Sequence, residues 1–435
     1  MRKKLLSIVA GVTTALLTLG ACAPTPAGTG TGTGTGTVTD SGTAAPSGFV
    51  QGVTDDTIYI ANSVAVSGPL APVGAPFQAG MNAYIEKVNS EGGVHGRRIV
   101  YLHTDDGFDP AQGVAALEGF IHDDEVFAIV GQFGTPVIGA TFPTLVETGI
   151  PVVYFAGGIG IVYNENATDG NGRNTFPIQP VFPMEGRIFA AWAAGQFNAN
   201  TVGLIHTNDD AGADFLFGVT QEINEINTAR AAAGQEPIEL VTAQVAPGAE
   251  DVTAQVATVL AAHPDVIIAG SIQGTIAQIL RTLAEQGNTV PVLTSYVNAD
   301  VTITNLVWDD INNQYPVYAS SWVDMTRPEM EDFRHWVAQV SNEDLSNNSF
   351  AMTGWIAMSM FVEGLERAGR DLTWASFINA MESAPVQNPF GPAIDFANGS
   401  RVGTNDLALI RMNGNEAAGW EGFLPFMGIQ EILGN

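Results

Sequence analysis

"TIYIANSVAVSGPLAPVGAPFQAGMNAYIEKVNSEGGVHGRRIVYLHTDD" occupies residues 57–106, and its changes of period decide the fold. Residues 57–66 are apolar and rich enough in β-formers for a buried strand. Residues 76–93 place Phe77, Met81, Tyr84, Ile85 and Val88 on one helical face, and Gly92-Gly93 closes the helix. "RRIVYLHTDD" (97–106) then returns to a strand pattern. Strand, helix and strand at this spacing predict a right-handed βαβ unit, whose parallel strands are covered on both faces.

The same rhythm continues outward. Asp109 and Pro110 supply the N-cap and first-turn proline of a helix carrying Val114, Leu117 and Ile121. Strands are predicted at 126–134 and 150–157, with a helix at 136–148 between them. A proline-rich break at 177–183 interrupts the pattern, which restarts with strands at 201–209, 238–247, 265–271 and 290–295. Helices near 213–231, 250–262 and 274–286 separate these. A strand at 315–322, helices near 327–340, 351–368 and 373–382, and a strand at 406–412 complete the reading. About 385 residues exceed what one core normally serves, so the expectation is an α/β chain of two doubly wound, parallel-sheet lobes.

The first fifty residues read differently. Arg2, Lys3 and Lys4 precede an apolar run from Leu5 to Leu19, the layout of a secretory signal and too short for a comfortable membrane span. The chain's only cysteine, Cys22, follows, and Leu19-Gly20-Ala21-Cys22 resembles the bacterial lipobox. That resemblance implies cleavage before Cys22 and lipid on its sulfur. Residues 23–51 hold Pro, Gly, Thr, Ser and Ala with almost no large apolar side chain, a composition that cannot offset the entropy of ordering. The expectation is a signal peptide at 1–21, then a lipid anchor and disordered tether at 22–51. The formal charge of −29 falls to −32 once the three basic residues of the signal are removed. Such acidity argues against nucleic acid and anionic lipid as partners. Beside a motif that resembles a bacterial lipobox, the sequons at Asn166, Asn347 and Asn398 are read as coincidental.

Catalytic patterns are weak. Gly158 and Gly160 follow a strand but lack the third glycine and the distant acidic residue of a dinucleotide fingerprint. Six histidines are dispersed without paired spacing, and the acidic "HTDDGFD" (103–109) uses its last aspartate as a helix cap. No serine sits in a nucleophile elbow. No metal or cofactor is expected, and no enzymatic activity. Binding features are stronger: Thr135 is expected as the N-cap of a helix with Pro136 at its first position, aiming a hydroxyl and free N–H groups at a carboxylate. Residues 65–77 form a similar loop after the first strand, and ligands in open parallel sheets lie beyond the strands' carboxyl ends.

Residues 64–135, from "VAVSGPLAPVGAPF" to "DDEVFAIVGQFGT", resemble the first lobe of the type I periplasmic binding proteins, in their leucine/isoleucine/valine-binding branch. "MTGWIAMSMFVEGLERAG" and "FGPAIDFANGSR" resemble that family's late helix and closing segment. The resemblance, covering roughly 52–415, implies two lobes joined by three crossings, near 180–183, 318–324 and 384–392. Lobe one is then 52–182 plus 323–385, and lobe two 183–322 plus 386–435. It implies that Thr135 holds a ligand carboxylate, that the Ala156 carbonyl meets an ammonium, and that Gly158 keeps only an N–H of the second carboxylate contact. Four departures stand out: Val73 replaces an aromatic, Ala211 and Ile272 replace tyrosines, and Tyr296 stands where a glutamate would neutralise the ammonium. Asp209 or Asp210 could replace that acid.

The resemblance implies an extracytoplasmic solute-binding lipoprotein, monomeric and held at the membrane by its lipid, delivering a small-molecule ligand to the permease of an ABC importer. A hydrophobic or branched-chain amino acid is the favoured ligand, with Asp210 in the site. The alternatives are an amide or an apolar or aromatic carboxylate in the same role, a ligand-sensing receptor domain, and an enzyme of doubly wound fold. For the anchor, Cys22→Ala should release the protein from membranes while leaving ligand binding intact, as fractionation and calorimetry would show; a wild type recovered unprocessed in the medium contradicts the anchor.

Overall fold

The computed structural model describes residues 50–272, 274–311 and 314–434. The signal, Cys22 and nearly all of the tether lie outside the described residues. The first half runs β1 (Thr57–Ser63), α1 (Ala71–Ser90), β2 (Arg98–Thr104), α2 (Pro110–His122), β3 (Ala128–Phe133), α3 (Thr135–Thr148), β4 (Val152–Ala156) and β5 (Thr175–Phe176). Its strands form an all-parallel sheet in the order β2-β1-β3-β4-β5. The second half runs α4 (Phe182–Gly195), β6 (Thr201–Thr207), α5 (Asp210–Ala232), β7 (Glu239–Val245), α6 (Thr253–Leu260), β8 (Val266–Gly270), α7 (Thr275–Glu285), β9 (Val292–Thr294), α8 (Val301–Ile311) and β10 (Val317–Ser321). Helices α9 (Met330–Val340), α10 (Ser349–Ala368) and α11 (Trp374–Glu382) follow, then β11 (Asp406–Met412), β12 (Trp420–Gly428) and α12 (Ile429–Ile432). The second sheet has the order β12-β11-β10-β9-β8-β6-β7, parallel except for β11 and β12.

Two α/β halves therefore stand as expected, with an antiparallel edge added to the second sheet. Helices α9 to α11 leave the second sheet and pack back on the first: α10 lies along α1 and reaches β3 and β4. Glycine allows the close approach. A Cβ on Gly80 of α1 would stand 1.8 Å from the carbonyl oxygen of Ala351, and one on Gly354 of α10 would stand 2.0 Å from that of Phe77.

Several boundaries differ from the sequence reading for identifiable reasons. Helix α1 begins at Ala71, because Pro72 sits in its first turn and Pro76 is tolerated within it. Thr135 is the first helical residue of α3, not its N-cap; Gly134 takes the cap position at φ +86°, a conformation threonine would adopt only under strain. Helix α8 went unread because "VTITNLVWDDI" is rich in β-branched residues, and its burial on the second sheet overrides that propensity. Strand β12 contains Gly422 and Pro425, acceptable only because it is an edge.

The chain leaves the side of the first sheet later than 384–392. Residues 386–394 fold on themselves through a Val386–Ile394 bridge beside Asp324, whose N–H donates to the Phe390 carbonyl. Arg401 is still fully buried on the first half, its guanidinium 4.4 Å from the ring centroid of Phe176 in β5. It donates to Glu382 in α11 at 2.5 Å, and Glu382 also accepts from Arg173. The chain then passes over, with Thr404 N–H donating to the Ile178 carbonyl at 2.8 Å. Burial alone pushes the Glu382 carboxyl up, but hydrogen bonds from Arg173 and Arg401 hold it below its ordinary value. Without Arg401, Glu382 keeps Arg173, but the Phe396 and Arg173 carbonyls that the guanidinium also serves lose their donor. Arg401→Met should therefore lower unfolding free energy by about 2 kcal/mol at pH 7, measured by urea denaturation; a loss below about 0.5 kcal/mol contradicts a stabilising role.

Candidate ligand-binding cavity

A cavity of about 440 Å³ opens where the carboxyl ends of both sheets face each other. From the first half come Leu70 and Val73 before and in α1, Phe77, the β3–α3 junction at Gly134 and Thr135, and Ala156 and Gly157 after β4. From the second come Ile272 after β8, Tyr296 after β9, and Ser321 and Trp322 at the end of β10. This is where ligands sit in open α/β sheets. At ~30 Å³ per water there is room for roughly fifteen water-sized groups, more than the heavy atoms of leucine.

The walls are aromatic and mutually packed. Phe77 stacks on Tyr154 at 5.9 Å, Tyr154 neighbours Trp322 at 6.3 Å, Trp322 meets Tyr296 edge-on at 6.4 Å, and Tyr296 stacks on Phe182 at 6.4 Å. Tyr154 is held in an unusual way. It lies within β4 at φ +70°, and the register places it opposite Gly131 of β3, itself at φ +76°. A bulky residue in this region costs about 1–3 kcal/mol and persists only where its surroundings over-determine it. Here the hydroxyl of Tyr154 donates to Gln179 Oε1 at 2.5 Å.

The anticipated site residues divide. Thr135, Ala156, Val73, Ile272 and Tyr296 all line the cavity, whereas Gly158 and Asp210 do not. Gly158 lies behind the Phe182 ring, and its carbonyl accepts from Phe182 N–H at 2.6 Å. Asp210 is exposed at the start of α5, and Asp209 is occupied as that helix's cap, accepting from Gly212 N–H and the Thr207 hydroxyl. Ala211 is buried away from the cavity. The Ala156 carbonyl already accepts from Gly134 N–H at 3.0 Å. The Tyr296 hydroxyl donates to the Pro180 carbonyl at 2.9 Å, so its ring, not its oxygen, forms the wall.

The carboxylates that do reach the cavity are engaged. Asp324 accepts from the N–H and hydroxyl of Thr326, and Glu421 accepts from Asn413 at 2.9 Å. Sequence reasoning missed Gln179, Tyr154, Phe182 and Trp322. Gln179 and Phe182 fall in the proline-rich break, where no period marks a side chain's direction.

Three further carboxyls organise the cavity's surroundings. Asp214 of α5 accepts from Gly160 N–H at 2.7 Å, bridging from the second half to the loop after β4; burial, with Asp210 nearby, pushes it up to about 6. Asp300, fully buried before α8, accepts from the N–H and hydroxyl of Ser349 at 2.8 Å each, at the start of α10. Glu185 is fully buried in the first turn of α4 and accepts from the Ser295 hydroxyl at 2.6 Å, the Tyr296 N–H at 3.1 Å and the Ser320 hydroxyl. Burial pushes Glu185 up to about 7 against the pull of these donors.

Among the described residues no cluster of three or more His, Cys, Asp or Glu side chains could hold a metal, and no helix is long and apolar enough to cross a membrane. The chain belongs to the periplasmic binding protein family, whose pattern matches residues 57–418. A Leu/Ile/Val-binding protein homolog 1 of Brucella suis biovar 1 is 25% identical over 248 residues, which make up 57% of this chain and 62% of that relative. Two solved structures share the fold. A fatty acid ABC transporter substrate-binding protein from Thermomonospora curvata superposes with a TM-score of 0.74 at 19% identity, over 90% of this chain and 97% of that one. A branched chain amino acid ABC transporter structure from Thermus thermophilus with bound valine gives 0.73 at 15% identity, over 87% and 99%.

Because Glu185 is protonated more readily folded than unfolded, the native state binds more protons between its ordinary 4.5 and about 7. Stability from this group is full below 4.5 and falls as pH rises through 7, by roughly 3 kcal/mol. Melting temperature against pH should show that decline in the wild type and a flatter profile in Glu185→Gln. Identical slopes contradict the assignment.

Proposed function

We propose that this protein is the ligand-capturing component of an ABC importer, tethered outside the cell membrane through Cys22, and that its ligand is a small apolar carboxylate. The observation that carries the ligand class is the unequal equipment of the cavity. An acid has a seat: Thr135 stands at the N-terminus of α3, 5% exposed, with its N–H unspent in the first turn. An ammonium is served less well: Asp209 and Asp210 lie outside the cavity, and the two carboxylates that line it, Asp324 and Glu421, are partly exposed and already accept from Thr326 and Asn413. Burying an unpaired ammonium costs several kcal/mol, and the aromatic walls return only about 2 by cation–π contact. The size of the cavity also suits a chain longer than a leucine side chain. The fatty-acid-binding neighbour supports this reading by fold likeness.

The second reading is the branched-chain amino acid, favoured by the Leu/Ile/Val-binding relative and by the remaining lone pair of the Ala156 carbonyl. The lobes would close over either ligand, the first built on the sheet β2-β1-β3-β4-β5 and the second on the larger sheet. Calorimetry on residues 52–435 with octanoate, 4-methylpentanoate, leucine and valine separates the two. Saturable binding of the acids, at least tenfold tighter than leucine, is expected, and Thr135→Ala should weaken it by about tenfold. Binding of leucine and valine alone establishes the second reading instead.

A further inference from the structure

Gln179 is 5% exposed, lines the cavity from the segment that links the two halves, and leaves its Nε2 without a hydrogen-bond partner. A buried amide donor left unmade is costly, and in native structures such a group usually has a partner, protein, water or ligand. The orientation of this amide is set from two sides. Tyr154 Oη donates to Gln179 Oε1, and Tyr154 itself is locked by its left-handed backbone opposite Gly131. On the other side stands the Tyr296 hydroxyl, close to Gln179 but short of hydrogen-bond geometry. Its proton is committed to the Pro180 carbonyl, so it turns only lone pairs toward the amide. Lone pairs repel an amide oxygen and favour the NH₂ group on that side, which leaves Oε1 to Tyr154.

We propose that Gln179 is a specificity-determining residue whose Nε2 donates to an oxygen atom of the bound ligand. The inference rests on the apolar-carboxylate reading and sharpens it. An NH₂ group meets an oxygen acceptor, of a carboxylate, an oxo group or a hydroxyl, but opposes an ammonium, which is itself only a donor. Inverting the donor at this one position should invert the preference. The polar contact lies in an apolar, aromatic enclosure, where a site built for hydrogen bonding rejects a ligand that leaves its donor unpaired.

The test uses calorimetry with 4-methylpentanoate, 4-methyl-2-oxopentanoate and leucine on wild type, Gln179→Met and Gln179→Glu, with melting temperature as the check on folding. Gln179→Met keeps the side chain's length and removes the donor; affinity for whichever acid the wild type binds should fall about tenfold. Gln179→Glu still accepts from Tyr154 and offers an acceptor to the cavity, so the leucine-to-acid affinity ratio should rise at least tenfold. If Gln179→Met does not fold, the ratio in Gln179→Glu decides alone. An unchanged acid affinity in a folded Gln179→Met, or an unchanged ratio in Gln179→Glu, overturns the inference while the carboxylate reading stands. A wild type that binds leucine and neither acid overturns the carboxylate reading, and this inference with it.

Discussion

One buried carboxyl, Glu185, holds together the wall on which the cavity depends. It reaches from the first turn of α4 to the Ser295 hydroxyl and Tyr296 N–H after β9 and to the Ser320 hydroxyl in β10. Those segments deliver Tyr296, Ser321 and Trp322 to the ligand side. Each donor, if abandoned in a dry interior, would cost about 1–3 kcal/mol, so the carboxyl fixes three strands of chain by making any other arrangement worse. The burial that makes these bonds strong also works against the charge, which is why the group sits up near 7.

Around that knot, two carboxylates of the second half meet donors of the first. Asp214 takes the N–H of Gly160, and Asp300 takes the N–H and hydroxyl of Ser349, adding a second cap to a helix already capped by Asn348. Neither contact survives a separation of the halves, yet each donor and acceptor would find water when exposed. Their net worth is therefore a small fraction of the gross bond, about 1.5–3 kcal/mol apiece for charged acceptors. A cavity closed by such contacts is poised, and the apolar surface that a ligand removes from water, at ~25 cal/mol per Å², can decide its state.

The fold was legible because strands and helices alternate with clean periods from residue 57 onward, and βαβ handedness leaves few ways to arrange them. What escaped had no period to show. Helix α8 is written in β-branched residues, and α4 starts inside a proline-rich run that looked like a pause. At the cavity, loop positions that follow strand ends were foreseeable: Thr135, Ala156, Ile272 and Tyr296 lie where the carboxyl ends of strands place them. Gln179 was not, because its orientation is set by Tyr154, a residue 25 positions earlier whose left-handed backbone no propensity scale would assign to a tyrosine in a strand. Asp210 failed as a replacement acid for a local reason. As the residue after the N-cap it begins the helix facing outward, while its neighbour Asp209 is consumed by capping.

The acidity of the chain bears on how a carboxylate would be held. With 45 acidic against 16 basic residues, the long-range field repels an anion and slows its approach. That field is cut off within about 10 Å at 0.1 M salt, whereas a donor in contact inside an apolar enclosure is hardly screened. Recognition must therefore be short-ranged: the start of α3 at Thr135, the Gln179 amide and the aromatic walls act only once the ligand is inside. A site organised this way gains nothing from long-range attraction and depends on charge only through direct contact. An acidic surface then would not compromise the proposed hold on an acid.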